Sequence, residues 1–272
     1  MKTYHLGIVA SCLAGVAEID ALEKIRQAGF EAVFSEIVGT CDPKQVANLQ
    51  NRCAQLGLSL DFLHAPFRGI NDFWVPGLAY RNLRNGIYGT IDAASEAGIP
   101  MVVCHVSSGW FPPQLCDVGF ERFDALVDYA IAKNVKIAFE NLRKVGNLAA
   151  IMERYENIPE VGFCYDCGHE HCYTETVHFL ELYGDRLFCT HIHDNHGRNH
   201  SDYWGDPDEH LMPFDGNLDY ADMMNRIRRT NYAGTLMLEI VQEGEYLGKS
   251  HEEFLQIAFE RVKRISEIKI PI

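Results

Sequence analysis

The chain has 272 residues, 47% of them hydrophobic and 23% charged, and its 38 acidic against 24 Lys and Arg side chains leave a net charge of −14. That length suits one domain with a large core, and no window holds the roughly 18 apolar residues that a membrane span requires. The acidic balance argues against nucleic acid or an anionic membrane as partner, because phosphate binding draws on clustered Lys and Arg.

The first apolar run, LGIVASCLAGVA, follows Met1-Lys2-Thr3 much as a short signal peptide would. His5 interrupts it, and it reads instead as a first strand, Tyr4–Ala10, then a turn and a helix over Ala17–Ala28. Short segments rich in Val, Ile, Phe and Leu then alternate with segments whose apolar residues recur every three or four positions. Strand Phe30–Glu36 precedes helix Pro43–Leu56, strand Leu58–His64 precedes helix Pro76–Ala97, and strand Met101–Val106 precedes helix Gly119–Lys133. Strand Val135–Glu140 is followed by helix Leu148–Tyr155, and strand Val161–Asp166 by helix Glu175–Tyr183. Strand Leu187–His193 leads to helix Leu218–Thr230, and strand Gly234–Ile240 to helix His251–Ile265. Ala28-Gly29, Leu56-Gly57 and Ala97-Gly98-Ile99-Pro100 are helix stop signals.

Eight strands alternating with eight helices predict an α/β protein, a single (β/α)8 TIM barrel over 1–272. An open doubly wound sheet is the alternative, weakened by the lack of Gly-x-Gly-x-x-Gly after any strand. One stretch breaks the rhythm. Residues 194–217, between the seventh strand and its helix, show neither period yet carry Trp204 and Phe214. A loop this long in a compact domain is usually functional, and its aromatics predict an ordered loop on the catalytic rim.

Metal-ligand residue types end one strand after another. His64, His105, Glu140, Asp166, His191 and Glu239 are separated by 41, 35, 26, 25 and 48 residues. Groups so far apart meet only if strand ends share one rim, as they do at the C-terminal face of such a barrel. Three carboxylates converging there would repel each other unless a cation lay between them. Glu140, Asp166, Glu239 and a histidine suit Mn²⁺ or Zn²⁺ first, with Mg²⁺ or Co²⁺ as alternatives. Strand parity leaves His191 and His193 equally eligible as that histidine. His64, His105, His169, Asp208 and His210 are further metal or substrate ligands if they converge on the same carboxylates. Glu36, Trp110, Arg143 and His193 are candidates for substrate contact; rim packing would explain Trp110 as well, and a salt bridge Arg143. Cys164-x-x-Cys167 has no second pair to complete a zinc site and reads as buried thiols. Nine cysteines without an even framework fit a reduced, cytoplasmic protein. The chain has no Gly-x-Ser-x-Gly elbow, P-loop or kinase motif.

AFENLR at Glu140, GFCYDCGH at Asp166, THIHDN at His191 and DEHLMPFDGNLDY in the loop together resemble the xylose isomerase-like TIM-barrel superfamily, over nearly the whole chain. That group includes sugar isomerases, sugar epimerases and endonuclease IV-type AP endonucleases. The resemblance implies a metal held by Glu140, Asp166, His191 and Glu239, and it favours His191 over His193. It implies a metal-dependent isomerase or epimerase acting on a sugar or sugar-like hydroxycarbonyl compound through an enediolate. Glu140 and Glu239 would be the acid/base pair, and His169 would polarise a substrate oxygen. The small-molecule substrate would be the main partner, with pairing into a homodimer common among such barrels. The endonuclease branch holds three zinc ions with nine ligands, and candidates for all nine are present, so the expected metal count runs from one to three. FSEIVGTCD after the second strand lacks that branch's Arg-rich loop. The alternatives are therefore a multi-zinc phosphodiesterase and a non-catalytic metal-binding barrel.

Overall fold

A computed structural model describes residues 3–269. Eight strands form one sheet: β1 His5–Val9, β2 Ala32–Glu36, β3 Ser59–His64, β4 Met101–Cys104, β5 Lys136–Glu140, β6 Val161–Asp166, β7 Leu187–His191 and β8 Thr235–Leu238. Their order is β7-β6-β5-β4-β3-β2-β1-β8, with every ladder parallel. The two outer strands meet just past β7, where the Ile192 amide donates to the Met237 carbonyl (2.8 Å) and the Glu239 amide to the Ile192 carbonyl (3.0 Å). This is the expected (β/α)8 TIM barrel.

Helices α1 Glu18–Ala28, α2 Pro43–Leu56, α3 Arg81–Ala97, α4 Asp117–Ala132, α5 Val145–Arg154, α6 Cys167–His169, α7 Phe179–Tyr183, α8 Tyr220–Arg229 and α9 His251–Glu267 lie between or after the strands. Strands covered by helices outside and by packed side chains inside are buried on both faces, and all of β4 and β6 is buried. None of the helices among the described residues is long and apolar enough to cross a membrane.

Two helices start well after their expected positions. The helix expected at Pro76 begins at Arg81, because Gly77 turns left-handed (φ 117°) and a 3-10 turn, Ile70–Trp74, takes the preceding residues. Trp74 anchors that turn in the core, its indole N–H donating to the Val106 carbonyl (2.8 Å). The helix expected over Glu175–Tyr183 is only α7, since Glu175 has φ 48°. Helical turns form earlier instead, over Cys167–His169 and Glu170–Thr174, capped by the Asp166 carboxylate on the His169 amide (2.6 Å).

Register sets the site. Glu36 pairs with His64, and Asp166 with His191, across adjacent strands. Strand ends separated in sequence by whole helices thus stand level on one rim.

Candidate metal centre

Three groups of ligand-type side chains share that rim. Ligand atoms of Glu140, Asp166, His191 and Glu239 all lie within 4.8 Å of one another, as do those of His64, His105 and Glu140, and those of His169, His193, Asp208 and His210. Glu140 joins the first two groups. Its Oε2 lies 3.1 Å from His64 Nε2 and 3.0 Å from His105 Nε2. Its Oε1 lies 3.1 Å from His191 Nδ1 and 3.3 Å from His169 Nδ1. His191 Nδ1 is also 3.3 Å from Glu239 Oε2 and 3.9 Å from Asp166 Oδ2. Glu140, Asp166, His191 and Glu239 are all buried.

The surrounding chain orients these rings. His64 Nδ1 donates to the Ala65 carbonyl (2.9 Å), His169 Nδ1 to Asn141 (3.0 Å) and His210 Nδ1 to Glu239 (2.9 Å). A ring nitrogen donating to a carbonyl leaves the lone pair of the other, Nε2, free for a cation. His191 is clasped by aromatic rings, with centroids 5.0 Å from Phe34 and 5.6 Å from Phe62. Phe67, absent from the sequence-based candidates, stacks on His105 at 4.2 Å. Asn141 was also missed. Its side chain bonds both the amide and the carbonyl of Asp166 (2.8 Å each), tying β5 to β6 beside the cluster. Only its place directly after Glu140 could have pointed to it.

Charge is held under tension here. Burial opposes ionisation of Glu140, but the imidazoles of His191 and His105 outweigh it and hold the carboxyl well below its usual range. Burial, then Glu140 and Asp166, push the Glu239 carboxyl well above its usual range. Burial lowers His105 despite Glu140. His210 is raised to about 9, Asp208 outweighing burial. Several buried polar atoms lack hydrogen-bond partners: His105 Nδ1, His191 Nε2 and Asp208 Oδ1. Three buried carboxylates within reach of one imidazole nitrogen, one forced toward its neutral form, are what a divalent cation would relieve. The donors, carboxylate oxygens with imidazole nitrogens, fit Zn²⁺ or Mn²⁺.

The remaining candidates are placed as follows. His193 is fully buried, its Nε2 3.1 Å from Asp166 Oδ1, and its ring stacks on His210 at 3.9 Å with planes 8° apart. An imidazole lone pair lies in its ring plane, so two parallel stacked rings cannot both aim at one ion. His169, Asp208 and His210 remain as a three-ligand set, with Asp208 Oδ2 3.0 Å from His169 Nε2 and 3.2 Å from His210 Nε2. Glu36 is exposed at the end of β2. Trp110 is half-buried, and Arg143 lies 5.4 Å over its ring and 3.9 Å over Tyr173, paired to Asp206 (2.6 Å). Cys164 and Cys167 are buried free thiols, the latter 3.4 Å from the His193 carbonyl.

A family model described as xylose isomerase-like TIM barrel matches residues 22–258. An uncharacterized protein of Sinorhizobium fredii is 35% identical over 187 residues, 61% of this chain and 57% of that one, so the match spans little more than half of that relative. An uncharacterized protein of Methanocaldococcus jannaschii is 24% identical over 278 residues, covering 92% of this chain and 88% of its own. Among solved structures, a xylose isomerase domain protein from Planctomyces limnophilus superposes with a TM-score of 0.76 at 15% identity, covering 97% of each chain. A D-psicose 3-epimerase from Clostridium cellulolyticum H10, solved with D-tagatose, has a TM-score of 0.74 at 12% identity over 97% of this chain and 98% of its own. An L-ribulose 3-epimerase has a TM-score of 0.72 at 16% identity, covering 97% and 94%. At these identities the structural likenesses speak for the backbone alone.

Proposed function

The chain belongs to the xylose isomerase-like TIM barrel family, and on that footing we propose that it is a divalent-metal-dependent isomerase or epimerase of a sugar or sugar-like hydroxycarbonyl compound. The observation that carries this reading is the convergence of Glu140, Asp166, His191 and Glu239, with ligand atoms within 4.8 Å of one another. Epimerases among the structural neighbours support the substrate class.

These four residues would hold the ion, Zn²⁺ or Mn²⁺ by donor type. A bound divalent cation supplies Lewis-acid polarisation of two adjacent substrate oxygens, which acidifies the C–H between them. The protein's part is proton handling. Glu140 and Glu239 approach from β5 and from the end of β8, so one can take the proton while the other returns one from a different side. His169 would lie beside the substrate rather than donate to it, because its Nδ1 already donates to the Asn141 carbonyl and its Nε2 faces Asp208. His193 would keep Asp166 in place, its Nε2 lying 3.1 Å from Asp166 Oδ1.

A second reading is favoured by one specific observation. The two oxygens of Glu140 face separate sets of nitrogens, as a carboxylate bridging two ions would, and His169, Asp208 and His210 form a third set. Clustered ions suit phosphodiester hydrolysis, in which they activate water and stabilise the leaving oxygen. The net charge of −14 opposes a nucleic acid substrate.

One experiment separates the readings: count metals per chain by mass spectrometry, then incubate the loaded protein with a ketose and aldose panel in D₂O. Deuterium incorporated next to the carbonyl supports isomerisation. Bound metal without exchange on any sugar, but with cleavage of bis(4-nitrophenyl) phosphate or nicking of abasic DNA, would overturn it in favour of the hydrolase.

A further inference from the structure

We propose that Phe111, Tyr203 and Trp204, with Trp110 beneath them, form a stacking subsite for an aromatic ring, so that the substrate is a sugar linked to an aryl group rather than a free monosaccharide. This rests on the sugar reading proposed above and extends it to the part of the substrate that lies outside the metal centre.

A row of rings leads outward from the cluster. His169 stacks on Tyr173 with centroids 5.2 Å apart, Tyr173 meets Trp110 edge-on at 5.6 Å, Trp110 meets Trp204 at 6.1 Å, and Trp204 meets Phe111 at 4.9 Å. Tyr203 closes the outer end, 4.8 Å from Trp204. Exposure rises along the row: Tyr173 is 3% exposed, Tyr203 45%, Trp204 58% and Phe111 76%. Trp110 and Phe111 follow β4, Tyr173 follows β6, and Tyr203 and Trp204 belong to the segment after β7. Three separate stretches of chain thus assemble one apolar ledge, and a contiguous exposed patch of this kind marks a binding surface. Each step is about as wide as one sugar ring, so a sugar held at Glu140, Asp166, His191 and Glu239 ends short of Trp204 and Phe111. A group stacked there belongs to a second part of the substrate.

The ledge suits an aryl group better than a second sugar. A sugar lying against rings also needs hydrogen bonds from polar groups beside them. Here those groups are engaged with one another: Asp206 Oδ1 accepts from the Tyr173 hydroxyl (2.7 Å) and pairs with Arg143 (2.6 Å), and the Trp110 indole N–H donates to the Gly205 carbonyl (3.2 Å). Arg198 pairs with Glu175 at 3.6 Å. The exposed rings offer π surface, and cations lie against it. Arg198 is 4.4 Å from the Trp110 centroid and 4.1 Å from that of Tyr203, Arg143 is 5.4 Å from Trp110, and Lys144 is 5.8 Å from Phe111. An electron-rich ring stacks offset on such faces, and the neighbouring positive charge attracts its π cloud.

Glycosides read this without turnover. Phenyl and methyl β-D-glucopyranoside share a sugar with no free carbonyl and differ in the aryl group alone; the matching galactoside and xyloside pairs vary the sugar. Ligand-observed NMR titrations on the full chain loaded with Zn²⁺ or Mn²⁺ should give a dissociation constant at least 10-fold lower for the phenyl member of a pair, about the worth of one good ring stack. Trp204→Ala and Phe111→Ala should each remove most of that preference, and Trp204→Phe should keep it. Affinity for the methyl glycoside, metal content and melting temperature should stay unchanged, because both side chains are exposed and outside the ligand cluster.

Equal affinity within every pair overturns the subsite, as does failure of every aryl glycoside to bind. A preference that survives both alanine substitutions overturns its placement on these rings. Loss of self-association in the alanine variants, read by light scattering, with ligand affinity unchanged would assign the ledge to a second copy of the chain instead. Deuterium exchange on the sugar panel is scored separately. Exchange without an aryl preference sinks the ledge and leaves the isomerase reading standing; an aryl preference without exchange does the reverse.

Discussion

Glu140 is the residue on which the centre turns. Both of its oxygens are engaged, two histidines on each side. Glu140→Gln removes a charge and half of the shared ligation, so bound metal should fall below that of wild type. Turnover of whichever substrate is found should drop by about 10²–10⁴, the range for losing an acid/base group; metal analysis and steady-state kinetics on the same preparation check it. Unchanged metal content in that variant would count against a bridging role. Asn141 offers a contrast, since it holds Asp166 without being a ligand. Asn141→Ala leaves a buried amide and carbonyl unpaired and should cost about 1–3 kcal/mol, read by urea unfolding of the metal-free protein.

Among the elements, the long β7–α8 segment supplies Asp208 and His210 to the site. Its base has no room for a side chain at Gly216, where a Cβ would come within 2.3 Å of the Asn195 carbonyl oxygen and of Asp194 Oδ1. Gly216→Ala should displace that base and destabilise the fold by about 1–3 kcal/mol, as overpacking does, with weaker metal binding at Asp208 and His210; thermal melts and metal titration report both. The turn after β6 is similarly tight. A Cβ at Gly168 would lie 1.9 Å from His193 Cε1, so Gly168→Ala should push His193 off Asp166. The seventh strand shows how much an element's end matters. Its alternation let both His191 and His193 face inward, and both do, but the first meets Glu140 while the second serves Asp166 and stacks on His210.

For the molecule as a whole, the proposed metal centre would couple stability to pH and to metal. Without metal, Asp208 raises His210 to about 9, above its ordinary 6.5. A group raised on folding contributes stability that is fully present below about pH 6.5 and lost as pH rises through about 9. The melting temperature of EDTA-treated protein should therefore fall across that window. Metal binding needs the neutral imidazole, so affinity should rise over the same window, and the loaded protein should not show the loss. Melts of both forms from pH 6 to 9.5 would settle it, and parallel profiles would refute the linkage. Burial raises the thiols of Cys12, Cys41, Cys53, Cys164, Cys167 and Cys172 and holds Cys104 up near 12, which keeps these seven out of this window.

The barrel was legible because parallel strands buried on both faces announce themselves as short apolar runs, and helices between them by their spacing. The endings of those runs pointed to the cluster as well: His64, Glu140, Asp166 and His191 close β3, β5, β6 and β7. Other features lay beyond reach of local pattern. Trp74, bonding a carbonyl 32 positions away, anchors a 3-10 turn that delays the next helix, and Asp166 starts another by capping it. Which oxygen of Glu140 meets which histidine, and that Asp208 meets His169, depend on strand register and on a loop with no period of its own. Residue types and their spacing determine which elements form and which donors sit at their ends. The pairing of those donors is set by closure of the cylinder, which no single segment encodes.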